Sequence, residues 1–308
     1  MTRNIAASKR GFGWDEAGVR LNIYANGEVV SSFKTPTTGL DRIYADPYGN
    51  DTYGTGTILS PVATLTKAFT LVTTTRKTII LAPGSYAEAA AMTWPAIDGL
   101  RVMGSGYSRT QISATTSAGG SVLTVAPGLV TSTFDGYIED LEIAHDAGDA
   151  QKGVTFNNTS MSKKLLFSFK NVPFSADAET DLSINVATHE SGNAIRVYVT
   201  GDGSSGTEMG GAAYFAVNDN ADRLQFENMW LTGSTTLVGA DQIRVRVLRC
   251  IIPEHSVRVA FIGNSGLQTV TLVNCFQWTD FDDTVAEIYE KAESANVTGS
   301  TAVVVANA

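Results

Sequence analysis

The sequence predicts an all-β fold, a parallel β-helix in which short strands wind around one apolar lumen. Three observations predict it. The first is a recurring phrase, apolar–x–apolar–polar–polar–apolar, clearest in Val245–Cys250 and Val270–Cys275. Looser copies end at Leu141, Val172 and Met229, so successive ends lie 31, 57, 21 and 25 residues apart. The step of 57 divides in two if Ile195–Thr200 is a weaker copy. A period in this range marks a solenoid, in which each winding buries the next. The second is composition: 17% of residues are charged, below the usual quarter, and there are 29 glycines. Short strands separated by tight turns account for both. The third is length, because 308 residues are many for one compact core but natural for a solenoid.

Residues 1–40 form a separate segment. Met1–Ser8 reads as an arm, and Leu21–Phe33 as a β-hairpin turning at Asn26-Gly27, two residues that tolerate positive φ. A lone hairpin is marginal in water, so it must pack on something. The apolar residues Trp14, Ile23, Tyr24, Val29 and Phe33 are therefore the candidate partner-binding set. Residues 41–75 hold a first strand, a Gly/Asn/Asp turn cluster and a capping helix. Ser60 is the expected N-cap, with Pro61 in the first helical position. Val62, Leu65, Phe69 and Val72 fall at helical spacing and make one apolar stripe.

Asp46–Thr55, Ser60-Pro61, Thr64–Phe69 and Ile79–Tyr86 together resemble the opening segment of pectate-lyase-like right-handed β-helices, a group that includes bacteriophage tailspikes and other virion proteins. The resemblance is good over roughly residues 43–115 and rests on winding period alone over 116–280. It implies a right-handed solenoid whose first end is closed by a short helix, since the first winding would otherwise expose its lumen and an unpaired edge. It is specific for fold and not for function, because binding, structural and catalytic proteins share the architecture.

Residues 76–281 carry eight strand phrases, centred near Ile80, Val102, Ile138, Leu166, Val197, Leu224, Val245 and Val270. The excursions Ile112–Phe134, Phe174–Asn193 and Asp202–Asp222 read as surface loops. Residues 282–308 read as a C-terminal helix, starting in the acidic turn after Asp280, and a strand-like tail, Thr301–Ala306.

The chemistry-bearing residues read mostly as structural. Asn171, Asn228 and Asn274 share one place in the phrase, with Asp140 and Arg249 as variants, and would stack as a ladder between windings. Cys250 and Cys275 would stack one strand spacing apart, as buried thiols or as a disulfide. Glu139 and Glu142 have opposite parity. A bend at Asp140 would aim both outward while Ile138, Leu141 and Ile143 fill the lumen. With Asp146 they are the only catalytic alternative, a carboxylate pair for glycoside cleavage; a solvated face is the plainer reading. The Asn-Thr-Asp, Asp-Asp and Gly-His-Gly set of the polygalacturonase-like branch is missing as a set. Asp46, Asn50 and Asp51 lack calcium-loop spacing and suit Asx turns. His145, His189 and His255 show no metal spacing. No metal and no cofactor is expected.

Net charge is −9, which disfavours nucleic acid. The first residues lack a signal-peptide apolar stretch, and no run approaches a membrane span. The expectation is a non-enzymatic structural protein made in a host cytoplasm and placed on the surface of a phage particle. It would be a capsid decoration, cement or short fibre protein attached through residues 1–40, and the resemblance implies a homotrimer. Eight windings at roughly 4.8 Å give a rod of roughly 40 Å, short for a tailspike. The alternative is a carbohydrate-active depolymerase, or a protein that binds a host-surface glycan without turnover.

Overall fold

The structure is a computed structural model. It describes residues 10–14, 20–25, 28–34, 41–116, 120–126, 134–144, 152–158, 165–174, 180–186, 195–203, 208–209, 212–215, 223–231, 236–240, 244–252, 260–264, 268–273, 276–277 and 286–291. The chain divides into two compact units, Met1–Asp41 and Arg42–Ala308.

The first unit is a three-stranded antiparallel sheet of β1 (Arg10–Trp14), β2 (Arg20–Ala25) and β3 (Glu28–Lys34). Ala25 pairs with Glu28, so β2 and β3 form a hairpin. The expected hairpin is therefore present, with β1 added beside it. The glycines of Arg10–Trp14 hide that strand, since glycine lowers the local strand signal.

The second unit is a right-handed parallel β-helix. It opens with β4 (Arg42–Ala45) and α1 (Leu65–Thr70). The first full winding is β5 (Thr78–Leu81), β6 (Gly84–Glu88) and β7 (Met92–Thr93). The second is β8 (Leu100–Met103), β9 (Thr110–Ala114) and β10 (Ser121–Val125). The third is β11 (Phe134–Glu139), β12 (Glu142–Ile143) and β13 (Lys152–Asn158). The fourth is β14 (Leu165–Lys170) and β15 (Thr180–Val186), with Phe174 bridging to Ile143 between them. Then come β16 (Ile195–Thr200), β17 (Glu208–Met209) and β18 (Ala212–Phe215). β19 (Arg223–Glu227), β20 (Trp230–Leu231) and β21 (Thr236–Ala240) follow. The last windings are β22 (Arg244–Leu248), β23 (Ile251–Ile252) and β24 (Ala260–Asn264), then β25 (Gln268–Val273) and β26 (Phe276–Gln277). β27 (Ala286–Lys291) ends the ladder.

The first strand of every winding joins one ten-stranded parallel sheet, the long sheet, running from β4 to β27. All eight expected phrases lie on it. A second sheet of seven strands runs from β7 to β24. It occupies the three excursions expected as loops, each of which contains at least one strand of this sheet. β10 and β15 both pair in parallel with β13, and β15 with β18, and that pairing, which a single stretch of sequence does not display, makes them strands.

Two inward columns of the long sheet fill the lumen. One runs Ile79, Val102, Ile138, Phe169, Val199, Phe226 in register. The other runs Leu100, Gly136, Phe167, Val197, Leu224. Every apolar member named is buried. Gly136 is small for a reason: a Cβ there would lie 2.3 Å from the Phe167 ring. That ring belongs to an aromatic chain down the lumen. Phe69–Trp94 centroids are 5.7 Å apart, Trp94–Phe167 5.0 Å, Phe167–Phe169 5.0 Å and Phe169–Phe174 5.7 Å. Three of these pairs are edge-to-face and Phe167–Phe169 is tilted at 42°; edge-to-face pairs are worth about 0.5–1.5 kcal/mol each beyond area burial.

Two helix expectations need correction. α1 begins at Leu65, with Thr64 as N-cap, not at Pro61 after Ser60. Val62 is extended: its N–H donates to Tyr44 O, and Asp46 N–H donates to Val62 O. That pairing holds Pro61 and Val62 out of the helix, yet Val62, Leu65 and Phe69 are buried as the stripe required. The second correction is Ala286–Lys291, expected as helix and found as a strand, with Val270 paired to Ile288. The open edge of β25 supplies a full row of backbone partners, which outweighs a modest helical propensity. Residues 278–285 and the tail Thr301–Ala306 lie outside the described residues.

Candidate functional site

Four described long-sheet strands end in a corner residue with left-handed backbone. Asp140, Asn171, Asn228 and Arg249 all have φ between 52° and 55°. Left-handed backbone at one residue resets the strand parity. The next residue, Leu141, Val172, Met229 or Cys250, turns inward and is buried. The bend inferred at Asp140 is therefore present, with Ile138, Leu141 and Ile143 in the lumen and Glu139 and Glu142 half-buried on the outer side. Asn and Asp tolerate this φ at little cost; Arg249 does so less readily.

The amide row is partly formed. Asn171 Nδ2 donates to Asp140 Oδ1 at 2.8 Å, and Arg249 Nε donates to Asn228 Oδ1 at 2.9 Å. Between these pairs the corner position is Gly201, whose N–H donates to Glu227 O, so side chains do not bridge that winding. Asn274 and Cys275 lie outside the described residues. Cys250 is buried, and the flanking pairs Leu248↔Val273 and Ile251↔Phe276 keep the offset of 25 expected for stacked windings.

Glu139, the first catalytic alternative, is bound to its neighbour. Arg101 Nε lies 3.3 Å from its carboxylate, and the Arg101 guanidinium sits 5.1 Å from the Tyr137 ring centroid. That carboxylate is engaged with a neighbouring side chain of the protein itself. Glu142 belongs to a different sheet, paired with Gln111. Asp146 and the three histidines lie outside the described residues. Among the described residues no group of three or more His, Cys, Asp or Glu is placed to hold a metal ion.

The turn cluster is structural in its polar groups and exposed in its apolar ones. Asp46 Oδ1 accepts from Tyr48 N–H, and Asn50 Oδ1 accepts from Thr52 and Tyr53 N–H, so Asx turns form as expected. Asp51 does more. Its Oδ1 accepts from Ala63 and Thr64 N–H, and its Oδ2 accepts from the Thr64 hydroxyl. Glu88, buried and unnoticed in the sequence, accepts from Leu65 and Thr66 N–H. Thr64 Oγ1 accepts from Lys67 N–H. Three side chains from three segments thus close the helix start and the first end of the solenoid. Fixed by this frame, Tyr48, Tyr53, Ile58 and Leu59 project as an apolar tip, 97%, 80%, 63% and 76% exposed. Ile58 and Leu59 occupy the middle of a turn closed by Ser60 N–H to Thr57 O.

Two titrating groups stand apart. Burial, and then the charge of Asp46, raises the Tyr86 hydroxyl well above its usual range; it donates to the carbonyls of Ala45 and Ala82. Burial, and then the charge of Asp98, raises the Asp135 carboxyl above its usual value. Trp94 is part of the lumen, whereas Trp230 Nε1 donates to Gly203 O.

The expected partner-binding residues all lie on strands of the first unit. Trp14 pairs with Leu21, which pairs with Phe33, while Tyr24 pairs with Val29 in a different row.

Among solved structures, the chain is similar to the pectin methylesterase PemA from Erwinia chrysanthemi, at 12% identity and a TM-score of 0.43, covering 84% of this chain and 91% of that one. It is also similar to ORF18 of Geobacillus virus E2, at 12% identity and a TM-score of 0.34, covering 89% of this chain and 66% of that one. No curated protein sequence matches it. Residues 48–206 match the family described as Protein of unknown function (DUF1565). The match starts at the apolar tip, takes in the helix closure and the corners at Asp140, Asn171 and Gly201, and spans just over half of the chain, so the protein belongs to that family.

Proposed function

We propose that the protein is a non-enzymatic structural component of a bacteriophage particle. Its β-helix is a rigid shaft on the virion surface, and it attaches through the Met1–Asp41 unit as a capsid decoration, cement or short fibre protein that assembles as a homotrimer. The observation that carries the reading is the apolar tip. Four large hydrophobic side chains project from turns fixed by Asp46, Asn50 and Asp51, and rigid exposed apolar groups are what an assembly contact uses. The most conspicuous described carboxylates, Asp51, Glu88, Glu139 and Asp140, are engaged with the protein itself, which suits a scaffold better than a turnover site.

The test is co-sedimentation with purified particles and analytical ultracentrifugation. A chain lacking residues 1–41 is expected to lose particle binding while keeping a β-rich circular dichroism spectrum. Tyr48→Ser with Tyr53→Ser is expected to lower the assembled mass without lowering the melting temperature. Full particle binding by the truncated chain would refute the attachment role.

A second reading, glycan binding without turnover, is favoured by one observation: Arg101 stacked on Tyr137 gives the outer face of the long sheet an aromatic platform with a fixed cation. Depolymerase activity is a weaker form of it, because Glu139 is committed to Arg101.

A further inference from the structure

The outer face of the long sheet, from the third winding to the fifth, holds two tyrosines on either side of one small residue. Tyr137 pairs with Ser168, and Ser168 pairs with Tyr198, so the three stand in one column on consecutive windings. Their strand neighbours Ile138, Phe167, Phe169, Val197 and Val199 are buried, so strand alternation turns the column outward. All three column residues are half-buried. Arg101 precedes Tyr137 in the same column, and its guanidinium lies over the Tyr137 ring, 5.1 Å from the centroid. One face of that ring is therefore turned to the preceding winding and braced by an arginine that Glu139 holds. The opposite face is turned to Ser168, and Tyr198 stands on the far side of that residue. The column forms a slot with two aromatic walls and a serine floor.

The width of the slot follows from strand spacing. Windings lie roughly 4.8 Å apart, so the two tyrosines stand roughly 9.6 Å apart. A ring seated midway is roughly 4.8 Å from each, inside the range of about 4.5–7 Å at which rings make contact. The polar surroundings decide the kind of ring. Two residues before each tyrosine, on the same face, stands a charged group: Asp135 beside Tyr137, and Arg196 beside Tyr198. Asp135 Oδ1 and Arg196 Nε are both buried, and both lack a hydrogen-bond partner among the described residues. Such orphans are uncommon in native proteins. Each residue as a whole is only half-buried, so a ligand reaches its carboxylate or guanidinium from outside. One group accepts and the other donates, and sugar hydroxyls do both. Acid and base also alternate around the slot, Asp135 and Glu139 with Arg101, Arg196 and the exposed Lys170, so neither sign of ligand charge is selected.

We propose that Tyr137 and Tyr198 hold one uncharged pyranose ring of a glycan between them, over Ser168, with Asp135 accepting from its hydroxyl groups and Arg196 donating to them. The assignment deepens the reading of glycan binding without turnover and rests on it.

The test uses the full chain with maltotriose, cellotriose and triacetylchitotriose as uncharged probes and trigalacturonate as the charged comparison, by calorimetry at low and high salt. At least one uncharged probe is expected to bind, more tightly than trigalacturonate and with an affinity that salt leaves unchanged. Tyr198→Ala removes a wall and is expected to weaken binding about fivefold, whereas Tyr198→Phe keeps the ring and is expected to stay within about twofold of the wild type. Ser168→Phe fills the floor and is expected to weaken binding at least about tenfold. Because these positions face outward, each variant is expected to keep the melting temperature of the wild type. Binding by none of the three uncharged probes overturns this proposal and the glycan-binding reading together. Affinity left unchanged by both Tyr198→Ala and Ser168→Phe, or trigalacturonate as the tightest ligand, overturns the proposal alone and leaves that reading standing.

Discussion

At the scale of single residues, the corner asparagines do two things at once. Asn171 accepts a φ of 52° and donates to Asp140 on the winding before it. Asn171→Ala loses both, which predicts a loss of about 1–3 kcal/mol from backbone strain plus one hydrogen bond. Asn171→Gly loses only the bond, so its loss in thermal unfolding is expected to be the smaller of the two. Asp135 makes the opposite kind of prediction. Burial, and then the neighbouring Asp98, raises its folded-state pKa above the unfolded value. Its contribution to stability is then fully present at pH below the unfolded value, and is lost as pH rises through the folded one. Asp135→Asn is therefore expected to raise the melting temperature at pH 7, with the gain shrinking to nothing near pH 3. Calorimetry at the two pH values checks the sign, and a gain that persisted at acid pH would contradict the stated cause.

At the scale of elements, α1 illustrates how a six-residue helix is held. It is too short to be stable alone, because nucleation costs more than so few bonds return. Its start is satisfied by Asp51, Thr64 and Glu88, and Leu65, Ala68 and Phe69 bury its inner face. Glu88→Ala strands two N–H groups at a buried site and is expected to cost about 1–3 kcal/mol, whereas Glu88→Gln keeps an acceptor and costs less. Chemical denaturation of both variants measures the difference; equal losses would mean that volume, not the acceptor, matters there. The strand Ala286–Lys291 makes the complementary point. Its helical look in sequence gives way to pairing with β25, because a solenoid edge satisfies backbone groups that a lone helix leaves open at its ends.

At the scale of the whole molecule, the lumen is one continuous core, and the aromatic chain from Phe69 to Phe174 ties the cap to the fourth winding. Phe167 touches most of that chain, and Phe167→Ala is expected to cost about 3–5 kcal/mol and to lower the melting temperature of the cap and the windings together. Two separate transitions by fluorescence of the buried Trp94 and by circular dichroism would argue against that coupling. The sequence by itself determined the parallel winding and the eight long-sheet strands that carry the recurring phrases. It also determined the bend at Asp140 and the hairpin at Asn26-Gly27, because each is written in a local pattern of apolar spacing and turn chemistry. Only the tertiary structure decided the second sheet, the start of α1 and the role of Glu88. Those depend on which winding lies beside which, and strand register is a relation between distant segments that no local stretch of sequence contains.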